Sequence, residues 1–421
     1  MANTILIAGA SGLVGAACLD RFLDDGWTVF AVSRRRPEVS SDKPFDHLPI
    51  DLQDEAAARE AVHGLSGVTH VVYAAVFEKP GLIAGWTEQD QMDTNLAMLR
   101  NLIDPLAEVA DLRHVTLLQG TKAYGIHLHP MPIPARERYP RDDHANFYWL
   151  QEDYIKEKSS AKGFDFTIMR PQLIVGPNTG VVMNLVPVIG ASAAICKEEG
   201  RPFGFPGGVP YVWEAVDTRL VANAIRWAAE TPAAAGEHFN LTDGEPFSWR
   251  DLWPAMADTL GVDAGPDEPA SMAQFLPAKA DVWDKIVAEH GLRQIRRPAR
   301  RIPLLRRLLL RLRCSRATAP RFVSTVRSNR PGSPRSVTPR TPSCTGSRRS
   351  SSAAYSPLRG RPRPGVRGSA ARLPRSSSSI RMRAPRPKSP SAARLRRGPR
   401  PDIPVRTRGT LGLSLSTCWE S

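Results

Sequence analysis

Short unbroken apolar runs alternate with longer stretches whose apolar residues recur at helical spacing. Thr4–Ala8 is a five-residue β-branched and apolar run, the pattern of a strand buried on both faces. A helix is predicted to follow through Ala16-Ala17-Cys18-Leu19 to about Asp25, where Gly26-Trp27 ends it, and Thr28–Val32 is the next strand. Further strands are predicted over Asp46–Ile50, Thr69–Ala75 and His114–Leu118, with helices over 54–65 and 87–110 between them. The second of these helices carries Met92, Leu96, Leu99, Leu102, Ile103 and Leu106 at helical spacing. Asn95 falls inside it, either as an ordinary polar position or as a group that fixes a water or a backbone. In the second half, helices are predicted over about Asn146–Lys162, Thr218–Glu230, Trp249–Leu260 and Ala280–His290, with extended segments at Val209–Trp213, Val216-Asp217 and around Asn240.

The first strand and helix are joined by Gly9-Ala10-Ser11-Gly12-Leu13-Val14-Gly15. In a strand–turn–helix–strand unit, the first glycine permits the tight turn and the second lets the backbone approach a pyrophosphate. The third lets helix and strand pack closely. The helix N-terminus then faces the phosphates. The expected fold class is α/β: a Rossmann-type doubly wound parallel sheet with a small C-terminal substrate lobe. The second strand ends at Ser33-Arg34-Arg35-Arg36, where an NAD-preferring site would place an acid. A serine followed by arginines suits a ribose 2′-phosphate, so NADPH is the expected cofactor, with Arg34 and Arg35 as its contacts. Asp51-Leu52 ends the third strand, where a carboxylate either bonds the adenine amino group or caps the next helix. Ala74-Ala75 ends the fourth and is expected to pass under the nicotinamide ribose.

Charge separates the chain into two parts. The net charge is +15 over 421 residues, but the 129 residues from Arg293 onward hold 32 Arg, one Lys and two acids, a net of +31. Residues 1–292 therefore carry −16 and have ordinary globular composition, long enough for a full core. The five cysteines show no pairing or metal spacing, which fits small buried apolar residues in a reducing, cytoplasmic setting and no metal site. The N-terminal run lacks a basic leader, and no apolar run is long enough to span a membrane.

Catalytic candidates lie at the C-terminal end of the fifth strand and on the helix after it. Gln119-Gly120-Thr121-Lys122-Ala123-Tyr124-Gly125 occupies the loop where open α/β sheets place their chemistry. Asn146-Phe147-Tyr148-Trp149-Leu150-Gln151-Glu152 resembles the helix of a short-chain dehydrogenase/reductase, in which a tyrosine is followed four residues later by a lysine. Here Glu152 stands at that position, and Gly120 stands where a serine or threonine hydroxyl is usual. Lys122 is the candidate replacement cation. A phenol has an ordinary pKa near ~10 and gains strength as a donor beside a positive charge. Tyr139 and Tyr154 dilute the signal.

These two stretches resemble the progesterone 5β-reductase/iridoid synthase-like family of atypical extended short-chain dehydrogenases. So do Ile168-Met169-Arg170-Pro171, Val175-Gly176-Pro177, Met183-Asn184-Leu185 and Phe239-Asn240-Leu241-Thr242-Asp243-Gly244. The likeness covers about residues 1–292, and Trp149 stands where that family usually has a second tyrosine. The resemblance implies NADPH-dependent reduction of the C=C bond of a small hydrophobic enone, with Tyr148 and Lys122 catalytic. It implies a cofactor set of Gly9, Ser11, Gly12, Leu13, Val14, Gly15, Ser33, Arg34, Arg35, Asp51, Leu52, Ala74, Ala75, Gln119, Gly120, Tyr148, Pro171 and Ile174. Phe77, Phe147, Trp149 and Met183 are candidate pocket walls, about half of them expected to be plain core. The rivals are an extended short-chain epimerase or dehydratase acting on a nucleotide sugar, against which Gly120 and Glu152 argue, and a non-catalytic NADP(H)-binding sensor.

The expected division is a cofactor-binding domain over 1–292, with its substrate lobe at roughly 177–292, and a disordered tail over 293–421. The tail holds 17 Pro and three aromatics and shows no sustained periodicity, so it cannot bury enough apolar surface to fold. It reads as a nucleic-acid-binding tail, as a disordered linker, or as GC-rich codons translated out of frame. The loss of acids at one point favours the last. For the body, no nucleic-acid or membrane partner is expected, and a homodimer is the candidate assembly.

Overall fold

The computed structural model describes residues 3–79, 84–178, 184–207, 212–292 and Val323. Its strands in chain order are β1 (Thr4–Ala8), β2 (Thr28–Val32), β3 (Asp46–Leu48), β4 (His70–Tyr73), β5 (His114–Leu118), β6 (Asp165–Pro171), β7 (Leu173–Val175), β8 (Val212–Trp213), β9 (Ala215–Asp217), β10 (Glu237–Leu241) and β11 (Phe247–Ser248). The α-helices are α1 (Leu13–Asp24), α2 (Glu55–Val62), α3 (Gln89–Val109), α4 (Phe147–Lys162), α5 (Val186–Glu198), α6 (Thr218–Ala228), α7 (Trp249–Leu260), α8 (Met272–Ala278) and α9 (Ala280–Glu289). The expected strands at Thr4–Ala8, Thr28–Val32 and His114–Leu118 and the helix at Trp249–Leu260 have the predicted bounds; β3, β4, α2, α3, α4, α6 and α9 are shorter than expected by one to four residues, α1 ends one residue before Asp25, and β9 begins one residue before the expected Val216-Asp217. Of the extended segment expected at Val209–Trp213, residues 209–211 lie outside the described residues. Side-chain caps set the starts of three helices: Asp54 accepts from Ala57 N–H ahead of α2, Asn146 from Tyr148 N–H ahead of α4, and Asp217 from Arg219 N–H ahead of α6.

Seven strands form one parallel sheet in the order β10-β6-β5-β4-β1-β2-β3. The order reverses between β1 and β4, so a crevice opens at their C-terminal ends, the topological switch point where such sheets bind ligands. Both faces are covered, which is why the strands read as unbroken apolar runs. One face packs Ile5, Ile7, Val29 and Val72 with Phe22 and Leu19 of α1 and Val221 and Ile225 of α6. The other packs Leu6, Val71, Val115 and Ile168 with Val62 of α2, Leu99 and Leu102 of α3 and Ile155 of α4. Each fully buried side chain of this size contributes roughly 1.5–3 kcal/mol, so these two layers hold the frame of the site.

A smaller set of elements completes the described chain. β7 pairs with β9 in parallel and β8 with β11 antiparallel. Around them α5 packs with α8 and α9 through Val188, Ile195, Met272, Leu276 and Ile286, and α7 closes a second cluster in which Phe203 stacks on Trp253 at 4.5 Å. Among the described residues no helix is long and apolar enough to cross a membrane. Apart from Val323, the segment from 293 onward lies outside the described residues, and with it the readings of that segment. Val323 is buried beside Tyr124, Met131 and Ala135 and donates its N–H to Glu214 Oε2 at 2.8 Å.

Candidate functional site

The glycine turn is built by exclusion. Gly9 has φ +77°, in the left-handed region, and a Cβ there would stand 2.7 Å from the backbone of Ala74 and Ala75. A Cβ on Gly15 would stand 2.2 Å from the Gly9 carbonyl oxygen. β1, the end of β4 and the start of α1 thus meet backbone to backbone, with Ser11 in the turn and Leu13 and Val14 buried in the first turn of α1. No side chain caps α1 at Gly12, so its first N–H groups face the crevice, the geometry that receives a pyrophosphate. At the end of β2, Arg34 and Arg35 are exposed, and Arg34 lies 3.6 Å from Asp51. Asp51 also accepts from Gln53 N–H; the cap of α2 is Asp54 instead. Ser33 is buried and donates its hydroxyl to the Arg35 carbonyl at 2.7 Å, which shapes the basic loop. Leu52 is core, its carbonyl held by Asn101. Ala74 and Ala75 line the crevice end of β4, and Ile174 packs half-buried on the α1 side. These residues fit a dinucleotide.

Asn95 fixes a backbone. Its amide accepts from Phe77 N–H and donates to Phe77 C=O, both at 2.9 Å, and Gln91 accepts from Lys79 N–H at 2.9 Å. Between these two clamps Glu78 accepts from Trp86 Nε1 at 3.1 Å. Trp86, 3 % exposed, has no periodic signal to single it out in the sequence, yet it joins the two catalytic candidates. Lys122 Nζ lies 3.8 Å from the centre of its ring, and the Tyr148 ring packs edge-on at 5.3 Å. Lys122 sits in a short 3₁₀ turn, Thr121–Tyr124, directly after β5, and Tyr148 in the first turn of α4. A Cβ on Gly120 would stand 3.5 Å from the Tyr148 hydroxyl and 3.7 Å from the Pro171 carbonyl, so residue 120 directs no hydroxyl at the phenol.

Burial pushes the Lys122 ammonium down to about 8, against the opposing charge of Glu78. Burial, and then Glu78, push the Tyr148 phenol well above its usual range, while Arg170 pulls it down. Tyr148 is therefore a neutral donor near pH 7, and the cation that favours its ionisation is Arg170.

Behind Tyr148, the glutamate at the usual lysine position is the hub of a buried ion cluster. Glu152 is 2 % exposed; Lys156 lies at 2.6 Å, Arg141 at 3.0 Å, His238 at 3.2 Å and Arg170 at 3.7 Å. Burial alone would raise its pKa, but hydrogen bonds from His238, Lys156 and Gln119 hold it far below the carboxylate range. Gln119 turns its side chain into this cluster: its Nε2 donates to Glu152 at 2.9 Å, and its Oε1 accepts from Arg170 at 2.8 Å. The other tyrosines have separate tasks. Tyr124 donates to Asn240 at 2.8 Å, Tyr154 donates to Asp104 at 2.9 Å, and Tyr139 lies beside Arg136. Of the expected walls, Phe147 and Trp149 are core and Phe77 is half-buried; Met183 lies outside the described residues.

Residues 5–242 match the NAD dependent epimerase/dehydratase family. The (S)-8-oxocitronellyl enol synthase of Nepeta racemosa is 33% identical over 308 residues, 68% of this chain and 76% of that protein. The 3-oxo-Delta(4,5)-steroid 5-beta-reductase of Arabidopsis thaliana is 33% identical over 319 residues, 69% of this chain and 79% of that protein. Among solved structures, UDP-glucose 4-epimerase from Bifidobacterium longum, in complex with NAD+ and UDP, superposes with a TM-score of 0.51 at 18% identity. That superposition covers 63% of this chain and 87% of the epimerase, a likeness of fold.

Proposed function

The chain belongs to the NAD dependent epimerase/dehydratase family, in its progesterone 5β-reductase/iridoid synthase-like branch, and from that membership we propose an NADPH-dependent reductase of enone C=C bonds. It is an oxidoreductase of an NAD(P)-dependent family. The 3-oxo-Delta(4,5)-steroid in one relative's name is itself an enone, which supports carrying the reading over to this chain. The observation that carries it is the convergence of Lys122 and Tyr148 on Trp86, with glycine at the serine position and a buried anion at the helical lysine position.

When bound, NADPH supplies a hydride. Its phosphates suit the α1 N-terminus, and its 2′-phosphate suits Arg34 and Arg35. As the β-carbon of the enone is reduced, negative charge moves onto the carbonyl oxygen. Tyr148, held neutral by burial, donates a hydrogen bond to that oxygen, and the bond strengthens as the enolate forms. Lys122 places positive charge beside it, in a site dry enough that the charge is weakly screened. A serine next to the phenol and a lysine below it would serve proton shuttling to an alcohol; their replacement by Gly120 and Glu152 favours enolate stabilisation over the epimerase alternative.

The test is loss of NADPH absorbance with a small cyclic enone. Tyr148→Phe is expected to slow turnover by about 10²–10³-fold, a loss carried mainly by kcat. Arg34→Ala with Arg35→Ala should weaken NADPH far more than NADH. A wild-type protein that binds NADPH and oxidises it with no cyclic or linear enone would overturn the reading.

A further inference from the structure

We propose that Asn146 is a positioning residue, whose one side-chain amide sets the Lys122 loop against the Tyr148 helix. Asn146 is 2 % exposed, and each polar function of its amide meets a partner. Oδ1 accepts from Tyr148 N–H at 3.0 Å. Nδ2 lies 3.4 Å from the Lys122 carbonyl and 3.1 Å from His144 Nε2. A primary amide has two N–H donors and here both have acceptors. His144 Nε2 accepts when its ring proton is on Nδ1, and Nδ1 lies 2.8 Å from Asp142 Oδ1; the tautomer follows from this network. Asp142 is fixed in turn by His129 Nε2 at 3.1 Å, and the His144 backbone by Trp149 Nε1 at 3.1 Å.

A helix cap alone needs only the side-chain oxygen, which Ser, Thr or Asp supplies about as well as Asn. The donor side of this amide is surplus to capping. It faces the carbonyl of Lys122 itself, so the same side chain holds the backbone of both residues that rest on Trp86. Displacements of about 1 Å in such a pair can cost on the order of 10²-fold in rate.

The variants Asn146→Asp and Asn146→Ser keep the cap oxygen and lose the donors. Protein labelled with ¹³C at lysine Cε supplies a readout besides activity. The Lys122 ammonium lies 3.8 Å from the Trp86 ring centre, so its neighbouring protons resonate upfield, assigned by their loss in Lys122→Arg. The expected result for both variants is a folded protein with near-wild-type NADPH affinity, a downfield move of the Lys122 signal, and kcat lower by about 10-fold or more at similar KM. His144→Phe, which removes the Nε2 acceptor together with the Nδ1 contact to Asp142 and leaves Asn146 in place, should move the signal the same way and carries the test if an Asn146 variant does not fold. A Lys122 signal that stays upfield in these variants, or a kcat within about twofold of wild type, overturns the proposal. The kinetic arm rests on the enone-reductase reading, and the resonance does not. A wild-type protein inert towards enones whose Lys122 signal still moves in the variants would refute the reaction and support the positioning role.

Discussion

Replacing Glu152 by glutamine keeps the shape of the side chain and removes the charge at the centre of the cluster behind Tyr148. Lys156 and Arg141 are partly exposed, and Arg141 retains Asp153, so screening makes their loss small. Arg170 decides the magnitude. It is 5 % exposed, and among the described residues Glu152 is the carboxylate paired with it, at 3.7 Å. Leaving such a cation without its counter-charge costs about 3–5 kcal/mol. For a domain of this size each kcal/mol lowers the midpoint by roughly 2–4 °C, so Glu152→Gln should melt about 6–20 °C below wild type. Glu152→Lys, which restores the Tyr-x-x-x-Lys spacing, should be worse, because it adds a cation where Arg170 and His238 already converge. Thermal and urea unfolding followed by circular dichroism at pH 7 measure both. The Glu152 carboxylate is held below its unfolded pKa of ~4.3, so its contribution is fully present at neutral pH and is lost only as acid drives the pH below that value towards the folded one. A glutamine variant within about 1 kcal/mol of wild type, with an unchanged urea slope, would refute the cluster as a source of stability.

Other outcomes are equally specific. Burial pushes His70 down to about 4 and His114 down to about 3, so the unfolded chain binds more protons below its ordinary ~6.5, and stability should fall as pH drops from there. The His70 part is on the order of 3 kcal/mol, and a urea-midpoint series that is flat between about pH 7 and about pH 4 would contradict it. Since Lys122 is charged only below about 8, enone turnover should fall as pH rises through that value. Glu78→Gln removes the charge that favours the ammonium and should move this alkaline limb to lower pH; an unmoved limb would separate Glu78 from the site. Gly15→Ala drives a Cβ into the Gly9 carbonyl, and should weaken dinucleotide binding and cost about 1–3 kcal/mol in a denaturant titration.

The strand–glycine turn–helix frame is legible because it is local. Apolar runs set β1, β2 and β5, glycines announce a backbone-only contact, and the roles expected of Gly9 and Gly15 are what a Cβ at each position would violate. Tyr148 and Lys122 are legible through motif spacing. Asp51 has the residue type of a cap, but a neighbouring acid, Asp54, holds the better geometry one residue ahead of α2. Chemistry-bearing side chains such as Gln119 and Ser33 are visible as residue types, but which way each turns is not.

By itself, the sequence determined the features that short-range pattern carries: the order of elements, the doubly wound sheet, the turn at the crevice and the family motifs. The tertiary structure alone decided which distant groups share a charge or a ring. Trp86 reaches Lys122 and Tyr148 from the segment ahead of α3, and Arg170 and His238 reach Glu152 from β6 and β10. The physical reason is that backbone periodicity acts over a few residues, whereas electrostatic and aromatic contacts act through space. They exist only after parallel strands far apart in the chain have been laid side by side.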